Sequence, residues 1–243
     1  MSHFTVLVVT KGQNTVENEV EDALYNFWEL DLDHDNLIKD PRAVPDVKIK
    51  DGDLEKSFVD WKEENSEYQK KHKYQSADEW LKDWDGYYKV PGGYGCYDNP
   101  NAKWDWYSIG GRWDGLLITK NGDNVDSAKK GDIDFDAMME RSRKSSADSW
   151  NELQDHVKKY PSSERTEYWL HGAKEDDTEE SFIERKSKFC TYAMIKDGKW
   201  YANGDMGWFG FSSNEKDNWQ DIFDKILDSI RDDEVVTVVD CHI

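Results

Sequence analysis

The run Phe4-Thr5-Val6-Leu7-Val8-Val9 decides how the rest of the chain is read. It is β-branched and apolar, and it predicts a central strand that begins almost at the first residue. Gly12 ends that strand. Asn14 then caps a helix, with Glu17 three residues on and Val16, Val20, Leu24 and Phe27 along one face. Toward the other end, Trp219, Ile222, Phe223, Ile226, Leu227 and Ile230 keep the i, i+3, i+4 rule without a break. Asp232-Asp233 closes that helix, and residues 235–239 form a last apolar strand. Between the helices, residues 189–196 and 199–202 read as a hairpin about Asp197-Gly198. A strand at each end, two amphipathic helices and a central hairpin predict an α+β chain with a ferredoxin-like β-α-β-β-α-β sheet. The usual order of such a sheet is 4-1-3-2, with strands 1 and 4 adjacent only at the sheet edge and antiparallel.

The remaining segments read as additions to one elaborated domain spanning residues 1–243. Residues 31–50 are acidic, broken by Pro41 and Pro45, and are predicted to be irregular. Residues 53–72 read as a charged helix with Leu54, Phe58 and Trp61 as its stripe. Ser76 and Glu79 form a capping box that opens a short helix through Trp80, Leu81 and Trp84. Residues 104–109 and 116–119 could flank a Gly110-Gly111 turn, and residues 132–144 and 147–160 read as surface helices. Acidic helical insertions are therefore expected over 31–90 and 121–185.

Composition narrows the function classes. The chain is 37% hydrophobic and 35% charged, yet 14% aromatic with 12 Trp. Disordered chains are poor in aromatics, so this one folds. A net charge of −20 disfavours non-specific binding to nucleic acid or to an anionic membrane. The same charge suits a nucleic-acid mimic, or an inhibitor that docks on a basic surface. Cys96, Cys190 and Cys241 are odd in number and widely spaced, which fits reduced cytosolic thiols. There is no signal-peptide pattern and no apolar run of membrane-spanning length, so a cytoplasmic protein is expected.

The stretch most suggestive of a site runs from Gly92 to Gly115 and includes Lys103-Trp104-Asp105-Trp106-Tyr107-Ser108-Ile109-Gly110-Gly111-Arg112-Trp113. Cores are built from Leu, Ile and Val, whereas this stretch concentrates rings, glycines and two cations. A guanidinium after a glycine pair can hold phosphate or carboxylate in bidentate fashion. Rings beside it can stack a base. The expected ligand-binding set is Lys103, Trp104, Asp105, Trp106, Tyr107 and Arg112, joined by Trp208 from the second aromatic-glycine patch over 204–211. The structural alternative pairs Arg112 with Asp105 or Asp114 and leaves the tryptophans in the core.

His3 begins the first strand and His242 ends the last, so antiparallel pairing would bring them to one sheet edge with Asp240. That trio is the candidate acid/base or metal cluster, and the catalytic set if the protein is an enzyme. His3-Phe4-Thr5 resembles the His-x-Thr of two-histidine phosphoesterases, although a second His-x-Thr is missing. Asp31, Asp33 and Asp35 resemble the first half of an EF-hand loop, but Arg42 stands where the bidentate glutamate belongs. Cys190, Cys241 and His242 lack paired zinc-ligand spacing. His34, His72, His156 and His171 lie in charged segments and need no special role, and no phosphate-binding loop or nucleophile elbow is present. Neither metal nor cofactor is expected.

Four pieces of the chain resemble uncharacterised proteins common in bacteriophage genomes. They are Met1-Ser-His-Phe-Thr-Val-Leu-Val-Val9, the segment Asn99-Pro-Asn-Ala-Lys-Trp-Asp-Trp-Tyr-Ser-Ile-Gly-Gly-Arg-Trp113, Lys196-Asp-Gly-Lys-Trp-Tyr201 with Met206-Gly-Trp208, and Val238-Val-Asp-Cys-His-Ile243. Lys130-Gly-Asp-Ile-Asp-Phe135 is a weaker match. The chain also looks distantly like ferredoxin-like domains of other phage and plasmid proteins. The resemblance implies a phage protein in the host cytosol, where small accessory proteins often counter host defence. The expected function is therefore to sequester or hydrolyse a nucleotide-derived host immune signal, such as a cyclic oligonucleotide. The alternative is an acidic protein that docks on a basic host defence enzyme.

Overall fold

A computed structural model describes residues 2–83, 87–174, 176–207 and 210–243. Trp84 and Trp208 lie outside the described residues. The chain is α+β. It forms two compact units, Met1–Ala23 with Tyr107–Ile243, and Leu24–Trp106.

The first unit is built on a six-stranded sheet. Its two central strands, His3–Thr10 and Val235–His242, run antiparallel in one unbroken register from His3 opposite His242 to Thr10 opposite Val235. Both are buried along nearly their whole length, as apolar runs without alternation should be. Opposed residues share a face, and every second residue of a strand returns to it. Leu7, Val9, Val236 and Val238 therefore form one side, and they join Met194, Trp219, Phe223 and Ile230 in a core cluster. His3, Thr5, Asp240 and His242 continue that same face past the end of the cluster. The helix Trp219–Asp228 forms as its apolar stripe predicts. The first helix spans Val16–Leu24, with Val20 and Leu24 fully buried. Glu19, not Glu17, closes its entry by accepting from the backbone N–H of Gly12, Gln13 and Asn14 at 2.9, 2.6 and 3.1 Å.

The hairpin Ala193–Lys196 and Lys199–Ala202 forms about Asp197 and Gly198, whose φ values of 52° and 70° match a type I′ turn. The order of its strands differs from the 4-1-3-2 expectation. Ala193–Lys196 lies beside the first strand, parallel to it, and Lys199–Ala202 is outermost, giving 4-1-2-3 for the four predicted strands. The reason is burial. Ala193, Met194 and Ile195 are buried, whereas Lys199 is exposed and Trp200 and Tyr201 are half-buried, which suits an edge.

Residues 121–185 are not wholly an insertion. Ser127–Lys129 pairs with Val235, Val236 and Thr237 in the main sheet. The two surface helices expected there are one helix of 25 residues, Phe135–Lys159, capped by the Asp134 carboxylate accepting from Ala137 N at 2.9 Å. Its Trp150 and Leu153 pack on Phe182 of the helix Glu179–Ser187.

The second unit has its own sheet and core. Val44–Lys50, expected to be irregular, is an edge strand paired with Gly93–Asp98, which also pairs with Tyr88–Val90. An edge position tolerates Pro45. Helices Leu54–Glu64 and Ala77–Lys82 bring Phe58, Ala77, Trp80 and Leu81 onto Ile49 and Tyr74. Ser76 caps the second of these helices as predicted, accepting from Glu79 N at 3.1 Å.

Candidate functional site

One carboxylate organises the sheet edge in the first unit. Asp240 is 2% exposed. Its Oδ1 lies 2.9 Å from His3 Nδ1, and its Oδ2 accepts from the backbone N–H of Arg112 at 3.0 Å. A buried carboxylate needs such partners, because leaving its lone pairs unmet costs several kcal/mol, on the order of the desolvation penalty per ion. The His242 ring meets the His3 ring edge-on, with centroids 5.1 Å apart. His3, Asp240 and His242 are thus brought together as the sequence predicts. With Nδ1 tied to the carboxylate, Nε2 becomes the basic nitrogen of the neutral His3 ring.

The Gly110-Gly111 turn makes this arrangement possible. Gly110 N–H donates to the Val238 carbonyl at 2.9 Å, which anchors the turn on the last strand. Gly111 has φ +55°, and a Cβ there would collide with the Asp240 side chain. Gly110 has φ +69°, and a Cβ there would collide with Asp126. The glycine pair therefore lets the backbone close on two carboxylates and delivers the Arg112 N–H to one of them.

Arg112 stands on the rim of a cleft of ≈ 520 Å³, within the size range of small-molecule sites. Its other cations are Arg141, Lys186 and Lys188, and Asp114 is the only acid in the lining among the described residues. Thr5, Ser142 and Ser145 supply hydroxyls, and Trp113 and Phe189 supply rings. Arg141 donates to the Leu116 carbonyl and, at 2.9 Å, to Asn124 Oδ1, so its position is set by the fold. Among the described residues the Arg112 guanidinium makes no ion pair or hydrogen bond, so Asp114 does not pair with it. The Lys186 ammonium has its pKa lowered, first by burial and then by the like charge of Arg185. Cys190, also in the wall, is pushed up to about 12 by burial and then by Asp224, which keeps it a neutral thiol.

The stretch expected to form one ligand site is divided between the units. Of the expected residues in that stretch, Tyr107 and Arg112, together with the rest of 107–115, belong to the first. Tyr107 is half-buried, and its pKa is raised by burial and then by Glu21. Lys103, Trp104, Asp105 and Trp106 belong to the second unit. There Trp104 is 7% exposed and its indole N–H donates to the Leu24 carbonyl at 3.2 Å, so its expected stacking role is corrected to packing. Trp106 is 54% exposed. Asp105 lies in acidic surroundings: the Glu29 carboxyl is pushed up by burial and then by Asp105, Asp98 and Asp31. Trp208, the remaining ligand-binding expectation, is one of the residues not described.

Sequence reasoning missed Trp113, Arg141, Lys186 and Lys188 in this role. A signal existed: Arg141-Ser142-Arg143-Lys144-Ser145-Ser146 and Arg185-Lys186-Ser187-Lys188 are basic, serine-bearing runs in an acidic chain. Neither looked like a site alone, because 38 residues of helix and loop separate them in sequence and only packing brings them together. The EF-hand likeness dissolves. Asp33 caps the short helix His34–Leu37, accepting from Asn36 N and Nδ2 at 3.2 and 2.7 Å. Among the described residues the only cluster with metal-ligand geometry is Asp46, Cys96 and Asp98 in the second unit, where the thiol is pushed up to about 11 by burial and then by Asp98. No helix among the described residues is long and apolar enough to cross a membrane. Comparison with family models, curated proteins and solved structures gives no match to this chain.

Proposed function

We propose that this protein binds a phosphate-bearing, nucleotide-derived small molecule in the cleft of the first unit. Arg112 and Lys188 meet the phosphate, the Ser145 hydroxyl donates to a further oxygen, and Trp113 offers a ring to the base. One observation carries the reading. Four cationic residues line a single cleft of a chain whose net charge is −20, while the Lys186 ammonium itself lies 5.9 Å from the Phe182 ring. Cations gathered at one wall favour an anionic ligand, and charge-assisted hydrogen bonds to phosphate are among the strong ones. In the phage setting that the sequence resemblance implies, the ligand is a host immune signal such as a cyclic oligonucleotide, and the protein removes it from circulation.

Calorimetric titration with cyclic di- and trinucleotides and with ADP-ribose derivatives tests this. Binding is expected, with Arg112→Ala weakening it at least tenfold, about 1.4 kcal/mol. Unchanged affinity in Arg112→Ala counts against the reading. The net charge itself favours a second reading, an acidic inhibitor docked on a basic defence enzyme. That reading gains if no ligand of the panel binds and a basic partner is captured in a salt-sensitive way.

A further inference from the structure

Resting on the binding reading above, we infer that the ligand carries guanine, and that the Asp114 carboxylate reads the Watson–Crick edge of that base beside Trp113. Asp114 is the only acid in the cleft lining among the described residues, on a wall otherwise charged by arginine and lysine. It is exposed, and its carboxylate forms no ion pair or hydrogen bond with any described residue, although Arg112 is two positions away on the same turn. Like charges set side by side across an interface are costly, so a carboxylate in a phosphate-binding cleft belongs beside a part of the ligand that is not phosphate.

An ionised carboxylate only accepts hydrogen bonds, and it does so at two oxygens. Its best partner therefore offers two donors side by side. Among the common bases guanine alone does this, with N1–H next to the N2 amino group. Adenine sets its N6 amino group beside the N1 lone pair, and cytosine sets its N4 amino group beside the N3 lone pair. Uracil holds a single N3–H between two carbonyls. Stacking on a ring accepts every base, because each has a π face. The carboxylate supplies the choice that the ring lacks: guanine satisfies both oxygens, whereas adenine turns an acceptor toward an acceptor.

The turn that presents Asp114 is set by the fold. Gly110 N–H donates to the Val238 carbonyl at 2.9 Å, Arg112 N–H to Asp240 Oδ2 at 3.0 Å and Gly115 N–H to Asp126 Oδ1 at 2.7 Å. Within the turn, Trp113 N–H donates to the Gly110 carbonyl at 3.0 Å and Asp114 N–H to the Gly111 carbonyl at 3.3 Å. Trp113 is half-buried and packs against the core cluster. Residues 110–115 are thus tied down at both ends and in the middle, and a backbone fixed in advance loses little entropy when a ligand binds.

Calorimetric titration of the full chain with cyclic di-guanylate and cyclic di-adenylate tests this. The guanine compound is expected to bind at least about tenfold tighter, in the range for one bidentate base contact. Cyclic di-inosinate keeps N1–H but lacks the N2 amino group, and its affinity should fall between the two. Asp114→Asn should move the preference toward adenine, because a carboxamide sets a donor beside an acceptor and so matches N6–H and N1. A merely structural role for Asp114 would weaken both compounds together. Asp114 is exposed, so the variant should unfold at the wild-type temperature. Equal binding of the two compounds, or tighter binding of the adenine one, overturns the guanine assignment and leaves the binding reading standing. Failure of every nucleotide in the panel to bind overturns both. An undiminished guanine preference in Asp114→Asn overturns the role given to Asp114.

Discussion

The two units spend aromatic residues in different ways. In the unit Leu24–Trp106, rings are core: Trp80 stacks on Phe58 with centroids 5.5 Å apart and meets Trp61 at the same distance. In the unit that carries the large sheet, Trp219 and Phe223 join a mostly aliphatic cluster, and Trp113 and Phe189 stand at the wall of a cationic cleft. The difference shows that aromatic density alone does not mark a site. A ring inside a closed cluster lowers free energy by burial. A ring at the edge of uncompensated cations is available to a ligand.

The comparison can be broken first at Trp80. Trp80→Ala should cost about 3–5 kcal/mol, the usual cost of emptying a large buried aromatic site. Hydrogen exchange should show loss of protection over residues 44–98 while ligand affinity at the cleft stays the same. If cleft binding collapses with it, the two units do not have the separate roles argued above. The next largest effect is expected from Gly111→Ala. A left-handed non-glycine residue costs about 1–3 kcal/mol, and the collision with Asp240 adds to it. Thermal unfolding should fall by several degrees and ligand binding should weaken together, because the Arg112 N–H loses its carboxylate. Retained binding in that variant would separate the turn from the site. The smallest effect belongs to Trp106→Ala. Its ring is 54% exposed and lies outside the cleft lining, so stability should change by less than about 0.5 kcal/mol and affinity not measurably. A large loss of affinity would return Trp106 to the ligand set.

Much of the large sheet was legible in advance. Residues 4–9 and 235–239 could only be buried strands, the stripe from Trp219 to Ile230 could only be a helix face, and Asp197-Gly198 demanded a tight turn. The approach of His3, Asp240 and His242 followed from antiparallel pairing of the two ends, since one register places all three on one face. The strand order within the hairpin was harder to see. A two-residue turn leaves either strand free to lie inside, and only the burial of Ala193, Met194 and Ile195 against the exposure of Lys199 chooses. The division of the stretch from Gly92 to Gly115 was hidden for a similar reason. Composition is continuous across Trp106 and Tyr107, whereas packing is not.

The sequence by itself determined the class of the chain, the central strands, the amphipathic helix and the histidine–aspartate trio, because periodicity and strand register are local or pairwise properties. Tertiary structure alone decided that Trp104 packs rather than stacks, that the glycine pair closes on Asp126 and Asp240, and that Arg112, Arg141, Lys186 and Lys188 share a cleft. Those outcomes depend on which distant segments fill the space beside one another, and no spacing along the chain encodes that.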